Sequence, residues 1–347
     1  MAADPEQPNP HELNAHERNQ QVKTVRLGKS GLEMSGLILG MMTYGDPEQG
    51  YPSWTIGLDE ARPFVRRAYE AGITTFDTSN AYSSGTSEEI LGTLTRELGP
   101  REEFQIATKV YAHQRPSRNG SGLSRVAIMH EIDASLRRLG TDYVDLYQIH
   151  AFDPNTPIEE TMEALHDVVK AGKARYIGAS NLLLWQLALM QNAADRHGWT
   201  KFVSNQLHYN LLARDLEREV APYAEATGMG ILPWSSLARG RLTRPWGSEG
   251  SGREANDTLA PQLYTRDEES HKRVVTAVQE VAEARGVPMA QVAVSWVANK
   301  SPVAAPIVGA TKERHVDDAV AGLELELTTE EITKLEAANT LVRNGII

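Results

Sequence analysis

The chain has 347 residues and no cysteine, and its 35 basic against 46 acidic side chains give a net charge of −11. The lack of cysteine excludes a disulfide frame, a thiolate nucleophile and a Cys-based zinc site. The acidic balance, without any basic run, argues against nucleic acid or an anionic membrane as partner. Hydrophobic residues make up 41% of the chain, enough for a sizeable core, yet no stretch approaches the roughly 18 apolar residues of a membrane span. The opening MAADPEQPNPHELNAHERNQ has no apolar core and does not read as a signal peptide. Its Pro, Asn, Glu and Gln content predicts a mobile tail over 1–22, ahead of a single domain over 23–347. Cytoplasm is the expected compartment.

After the tail, TVRLGKSGLEMS predicts two short strands joined by a Gly-Lys-Ser-Gly turn. Strand-like apolar runs then follow at GLILGM, TTFDTS, FQIATKV, YVDLYQIH, ARYIGAS, FVSNQL, GILPW and VAAPIVG. Between most of them lie amphipathic stretches of helical length, several closed by a glycine suited to the left-handed cap: Gly72, Gly140, Gly172, Gly198, Gly228 and Gly286. Parallel strands require helical crossovers, so eight such units predict an α/β fold, a (β/α)₈ TIM barrel with an N-terminal β-hairpin. A doubly wound sheet is the competing α/β fold, but its G-x-G-x-x-G fingerprint after the first strand is missing.

Three connections exceed ordinary length: DPEQGYPSWTIGL, YAHQRPSRNGSG and RPWGSEGSGREANDTLAPQLYTRDEE. All follow strand C-terminal ends, so these long loops at the C-terminal face are expected to wall the substrate and cover a cofactor. The closing LTTEEITKLEAA predicts a helix capped by Thr328 or Thr329, with Glu331 in its first turn.

Four polar residues fall at or just beyond successive strand ends. Asp77 closes TTFDTS, Tyr82 follows in NAYSSG, Lys109 ends FQIATK and His150 ends YVDLYQIH. Taken singly, each has a plain structural role available, as a cap, a surface turn or a satisfied core group. Together, an acid, a phenol, an ammonium and an imidazole form a proton-delivery set.

With FDTSNAY, ATK and LYQIH around it, this set resembles the aldo-keto reductase superfamily, and the resemblance extends from about residue 24 to about residue 338. TYGD, the long third loop and YNLLARDLE resemble the branch holding aryl-alcohol dehydrogenases and potassium-channel β-subunits. The resemblance implies an NADP(H)-dependent reductase of aldehydes or ketones, reversible toward alcohol oxidation. Tyr82 is then the general acid/base, and Lys109 stabilises its phenolate and lowers its pKa. Asp77 anchors Lys109, and His150 hydrogen-bonds the carbonyl oxygen. In that family a Glu at the His position accompanies carbon–carbon double-bond reduction, so His150 implies carbonyl chemistry.

Cofactor contacts carry over to Thr43, to Ser180, Asn181 and Gln206 at the nicotinamide carboxamide, and to Trp234 as the ring stacked on nicotinamide. Ser235, Leu237, Gly240 and Arg244 are expected along the phosphates. Gly309 and Thr311 open the adenosine segment. Lys312, Arg314 or His315 would meet a ribose 2′-phosphate, and Asp318 the adenine amine. The family's pattern is broken by Ala319 in place of Asn and by His315 in place of Arg or Gln. Other roles stay open for these residues: Ser180-Asn181 as a helix cap, Trp234 as barrel core, the basic residues as a solvated face. Met42, Tyr44, Trp54, Tyr111, Trp185 and Tyr209 are the expected substrate-contacting aromatic and apolar residues, suited to aromatic or bulky apolar carbonyl compounds. Two other classes fit the same residues less fully. One is a redox-sensing regulatory subunit with slow turnover. The other is a metal-dependent barrel hydrolase, for which no His-x-His or His-Glu-x-x-His cluster accompanies Asp77 and His150.

Overall fold

The computed structural model describes residues 22–49, 51–112, 114–248, 257–264 and 267–339. The tail expected over 1–22 lies outside the described residues except Val22. That residue is buried, and its N–H donates to Ala71 O at 3.2 Å.

The chain opens with an antiparallel hairpin, β1 (Thr24–Arg26) and β2 (Glu33–Ser35). Eight parallel strands follow: β3 (Ile38–Gly40), β4 (Thr75–Asp77), β5 (Gln105–Val110), β6 (Val144–Ile149), β7 (Ala174–Ser180), β8 (Phe202–His208), β9 (Gly230–Trp234) and β10 (Ile307–Val308). Their order is β10-β3-β4-β5-β6-β7-β8-β9. Closure runs through the residues just before β10, where Ile231 N–H donates to Pro302 O at 3.1 Å and Ala304 N–H to Ile231 O at 2.9 Å. The expected (β/α)₈ barrel and its hairpin are both present.

Outside the strands lie α1 (Leu58–Glu70), α2 (Thr86–Leu98), α3 (Arg125–Leu139), α4 (Ile158–Lys170), α5 (Leu184–His197), α6 (Val220–Thr227), α7 (Ala260–Tyr264), α8 (Glu268–Arg285), α9 (Met289–Ala298), α10 (Glu313–Glu324) and α11 (Thr329–Ala337). All six glycines expected to end helices have positive φ, from 65° to 94°. Thr328 caps α11, and Glu331 returns the bond to the Thr328 N–H, completing a capping box. The sequence does not single out α9 because the helix is buried almost all round, at Met289, Val292–Val294 and Ser295–Val297, so it lacks an amphipathic stripe. The predicted helix over DLEREVAPYAEATG splits, with a 3₁₀ turn at Asp215–Arg218 ahead of α6.

Alternation along the strands builds two environments. One set of side chains, including Leu39, Phe76, Ile106, Tyr147, Ile149 and Ile177, packs outward against the helices. The other set fills the barrel. At its lower end Ile38, Ala107, Leu146, Leu232 and Ile307 join Leu27, Leu32 and Met34 of the hairpin, which plugs the bottom. Gly28 (φ +56°) lets the hairpin reach the barrel, since a Cβ there would sit 2.4 Å from Gly228 O. Two residues further along β4, β5, β6, β8 and β9, the same inward parity brings Asp77, Lys109, Gln148, Gln206 and Trp234 to the upper end. Lys109 and Gln148 are paired in register, while Asp77 pairs with Ala107 and Gln206 with Leu232, so the layer is staggered from strand to strand, as strand tilt in a barrel requires. An apolar plug below therefore supports a polar layer above, on the C-terminal face where barrel enzymes build their sites.

Candidate active site

Asp77, Lys109 and Gln148 are almost wholly buried in the upper layer. Lys109 Nζ donates to Asp77 Oδ1, to Thr78 O at 2.9 Å and to Tyr82 Oη at 3.3 Å. Asp77 Oδ2 accepts from Gln148 Nε2 at 3.0 Å and Gln206 Nε2 at 2.8 Å. A buried carboxylate and a buried ammonium are each costly alone, and here Asp77 accepts three hydrogen bonds and each of the three ammonium protons has an acceptor. Burial works against the Lys109 charge, but Asp77 and Tyr82 more than offset it and hold its pKa above the usual value.

Tyr82 sits on the turn after β4, with its backbone N–H donating to Ser79 O at 3.2 Å. The loop after β3 lies across this turn, since Ser83 N–H donates to Tyr51 O at 3.0 Å. Burial raises the Tyr82 pKa above the ordinary phenol value, and Lys109 offsets part of that rise. The net effect differs from the expected lowering because desolvation of the phenolate outweighs the ammonium. Tyr82 is thus held in its proton-bearing form. The His150 ring meets the Tyr82 ring edge-on, 5.9 Å between centroids. Burial and the Lys109 charge lower the His150 pKa to about 3, so the imidazole is neutral at physiological pH. The four side chains expected to act together do converge.

Beside them the backbone after β9 takes an unusual course. Ser235, Ala238, Arg239 and Gly240 all have positive φ. The turn is held internally, with Ala238 N–H donating to Ser235 O at 2.7 Å and Gly240 N–H to Leu237 O at 2.9 Å. Two guanidinium groups serve the same segment. Arg239 pairs with Asp257 in a nearly buried ion pair, yet among the described residues its Nη2 and the Nε of Arg241 are buried without a hydrogen-bond partner. Orphaned cationic donors of this kind fit a phosphate group. The sequence points to Arg244 in this segment and misses Arg239 and Arg241, although all three stand within six residues.

A family model described as the aldo/keto reductase family matches residues 36–340. This chain belongs to that family. A versiconal hemiacetal acetate reductase of Aspergillus parasiticus is 43% identical over 330 residues, covering 90% of this chain and 95% of the relative. A Schizosaccharomyces pombe protein named among the aryl-alcohol dehydrogenases is 42% identical over 337 residues, covering 89% and 93%. The aldo-keto reductase AFTS1 of Alternaria alternata is 40% identical over 338 residues, with 90% of each chain covered. Family membership and these reductase relatives support carbonyl reduction with a nicotinamide nucleotide as this chain's chemistry. No described helix is long and apolar enough to cross a membrane.

Within this aldo-keto reductase, the residues expected at the carboxamide are largely bonded to one another. Asn181, at φ +59°, donates to His150 O at 3.2 Å and accepts from Trp234 Nε1 at 2.9 Å. Ser180 Oγ donates to Gln206 O at 3.1 Å, so Ser180-Asn181 is not the cap of α5, whose N-cap is Leu183. Trp234 is half-buried at the mouth and stacks one face on His208, 4.4 Å away with planes 15° apart. His208 in turn bonds Tyr264 Oη at 2.7 Å, which docks the short α7 under the tryptophan. Ser235 also lies against Tyr264 Oη, and Leu237 opens the 3₁₀ segment. Gly240, at φ +96°, leaves open space beside the turn, where a Cβ would meet only the tips of Arg244 and Thr243. Arg244 is half-buried at its end.

Thr43 is buried against Gly309 at the tops of β3 and β10. Thr311, Lys312 and His315 cluster at the N-terminus of α10, where Thr311 N–H donates to His315 Nδ1 at 3.3 Å. Asp318 is already engaged, accepting from Gln291 Nε2 of α9 at 3.2 Å.

Two of the expected substrate residues are not at the mouth. Tyr44 is fully buried and its hydroxyl donates to Ala310 O at 2.8 Å, tying the loop after β3 to the end of β10. Tyr209 is 2% exposed, packs against Trp296 and donates to Glu217 Oε1 at 2.6 Å. Both are core residues, because each hydroxyl finds a protein partner that allows the ring to be buried. Trp54, Tyr111 and Met42 remain half-buried, and Trp185 is exposed on the first turn of α5. Trp185 meets Phe152 edge-on at 5.6 Å, an aromatic that the sequence does not single out. The cover expected over RPWGSEGSGREANDTLAPQLYTRDEE lies partly outside the described residues. Its described part is anchored by the Asp257–Arg239 pair and by Tyr264.

Proposed function

We propose that this aldo-keto reductase catalyses reversible hydride transfer between NADPH and an aldehyde or ketone of aromatic or bulky apolar character. The single observation that carries the proposal is the buried Lys109 ammonium, bonded to Asp77 on one side and 3.3 Å from the Tyr82 hydroxyl on the other. NADPH, when bound, supplies the hydride. Tyr82 gives its proton to the carbonyl oxygen, and the fixed Lys109 charge stabilises the phenolate left behind. Asp77, itself held by Gln148 and Gln206, keeps Lys109 charged and in place. His150, neutral, donates an N–H to the same oxygen and polarises it. In alcohol oxidation the roles reverse, with the Tyr82 phenolate as base.

The fit of the dinucleotide rests on the partnerless Arg239 Nη2 and Arg241 Nε donors beside the turn at 235–240, which suit a pyrophosphate. Trp234, with one face on His208, suits stacking against nicotinamide. Gln206 Oε1 and Asn181 would meet its carboxamide. Lys312, Arg314 and His315 at the start of α10 support NADPH over NADH, because a 2′-phosphate gains from basic side chains at a helix N-terminus. Trp54, Tyr111, Trp185 and Phe152 support an aromatic or bulky substrate, as do relatives named for versiconal hemiacetal acetate and aryl alcohols.

Loss of NADPH absorbance with a panel of aromatic aldehydes and bulky ketones, run beside NADH and in EDTA, tests the proposal. Protein-dependent NADPH oxidation that survives EDTA is expected. Faster turnover with NADH would overturn the cofactor choice. Absence of binding by either nucleotide would overturn the whole proposal.

A further inference from the structure

Ser79 stands between the two groups that would face the substrate oxygen. It is fully buried, and its carbonyl accepts the Tyr82 N–H at 3.2 Å. Its hydroxyl lies 3.2 Å from His150 Nδ1 and accepts the Ala81 N–H at 3.1 Å. The His150 backbone is pinned as well, its N–H on Val110 O at 2.9 Å and its carbonyl on Asn181 at 3.2 Å. No other protein atom among the described residues takes up a His150 ring nitrogen.

A neutral imidazole carries one N–H and one acceptor nitrogen, and a serine hydroxyl carries one proton. The Ala81 N–H already uses acceptor capacity on Ser79 Oγ, so the hydroxyl proton needs an acceptor of its own. His150 Nδ1 is the one available among the described residues. The opposite arrangement, with Nδ1–H donating to Ser79, would leave a buried hydroxyl proton without a partner, a disfavoured state. We propose that Ser79 is a positioning residue that donates to His150 Nδ1 and so holds the ring as the Nε2–H tautomer, leaving Nε2–H for the substrate oxygen. The proposal rests on the His150 role given under the proposed function. The other tautomer would present a lone pair to the carbonyl oxygen, and repulsion would replace polarisation. The low pKa of His150 agrees with a ring that stays neutral and acts through its tautomer.

Full-length protein labelled with ¹⁵N-histidine reports the tautomer directly in long-range ¹H–¹⁵N spectra at neutral pH, with the His150 signals assigned by their loss in His150→Gln. The wild type is expected to show a protonated Nε2 and a bare Nδ1. Ser79→Ala is expected to add a population with Nδ1–H and to lower kcat roughly five- to tenfold, the equilibrium weight of one hydrogen bond, with a smaller change in KM. A wild-type ring protonated at Nδ1, or an unchanged tautomer in Ser79→Ala, would overturn the proposal. The wild-type spectrum decides even if the variant does not fold. Because the spectrum needs no substrate, the expected tautomer without turnover on any carbonyl would remove the reductase proposal and leave the Ser79–His150 bond standing.

Discussion

Lys109→Met separates chemistry from packing. The ammonium is fully buried and lies 3.3 Å from the Tyr82 oxygen. At an effective dielectric of about 20, a charge pair at that distance is worth about 5 kcal/mol. Losing it when the phenolate forms predicts a fall in kcat of roughly three to four powers of ten. The substitution also strands the Asp77 carboxylate with only Gln148 and Gln206 as donors. Removing one partner of a buried pair costs about 3–5 kcal/mol of stability. The double variant Asp77→Asn/Lys109→Met removes both charges, so it is expected to regain most of the lost stability while remaining inactive. Urea denaturation and steady-state NADPH oxidation, measured on both variants, check each half. A Lys109→Met enzyme that keeps more than a tenth of wild-type kcat would refute the claim that this charge stabilises the Tyr82 phenolate. Equal recovery of activity and stability in the double variant would show that Lys109 matters only for folding.

Tyr82→Phe is expected to abolish reduction while leaving the NADPH dissociation constant within about twofold, because the hydroxyl bonds Lys109 and neither Arg239 nor Arg241; a titration beside the activity assay checks both, and retained turnover would remove Tyr82 as proton donor. Arg241→Met is expected to weaken NADPH binding about ten- to a hundredfold, the worth of about 1.5–3 kcal/mol for a hydrogen bond to a charged group, and calorimetric titration reads it. Stability should also depend on pH at both extremes. Burial raises the pKa of Tyr44, Tyr82, Tyr147, Tyr209 and Tyr264, so the folded chain keeps phenolic protons that the unfolded chain loses above about pH 10. The urea midpoint should therefore fall as pH rises through 10. On the acid side, burial, with a further contribution from nearby cations, lowers His150 to about 3 and His208 to about 4. Their contribution is present above about pH 6.5 and is lost as pH falls toward those values. A midpoint that stays flat from pH 7 to 4 would contradict the burial of these two rings.

The grouping of Asp77, Tyr82, Lys109 and His150 was legible because strand ends and helix caps are local signals. Asp77, Lys109 and His150 each close or follow a short apolar run, and the alternating runs and glycine caps imply the barrel that brings those ends together. Gln148 carries the same inward parity as Leu146 and His150, so a strict count of two along YVDLYQIH would have found it. A neutral amide simply draws less notice than an ionisable group. Tertiary structure alone decided which aromatics form the mouth. Tyr44 and Tyr209 look like loop aromatics until Ala310 O and Glu217, 266 and 8 residues away, are seen to satisfy their hydroxyls. The same holds for Arg239, whose role depends on Asp257 across an intervening segment, and for Ser79, whose bond to His150 spans 71 residues. Sequence periodicity determines which face of an element is apolar, and that sufficed for the fold. Whether a buried polar group is paired depends on distances between elements far apart in the chain, and only folding sets those.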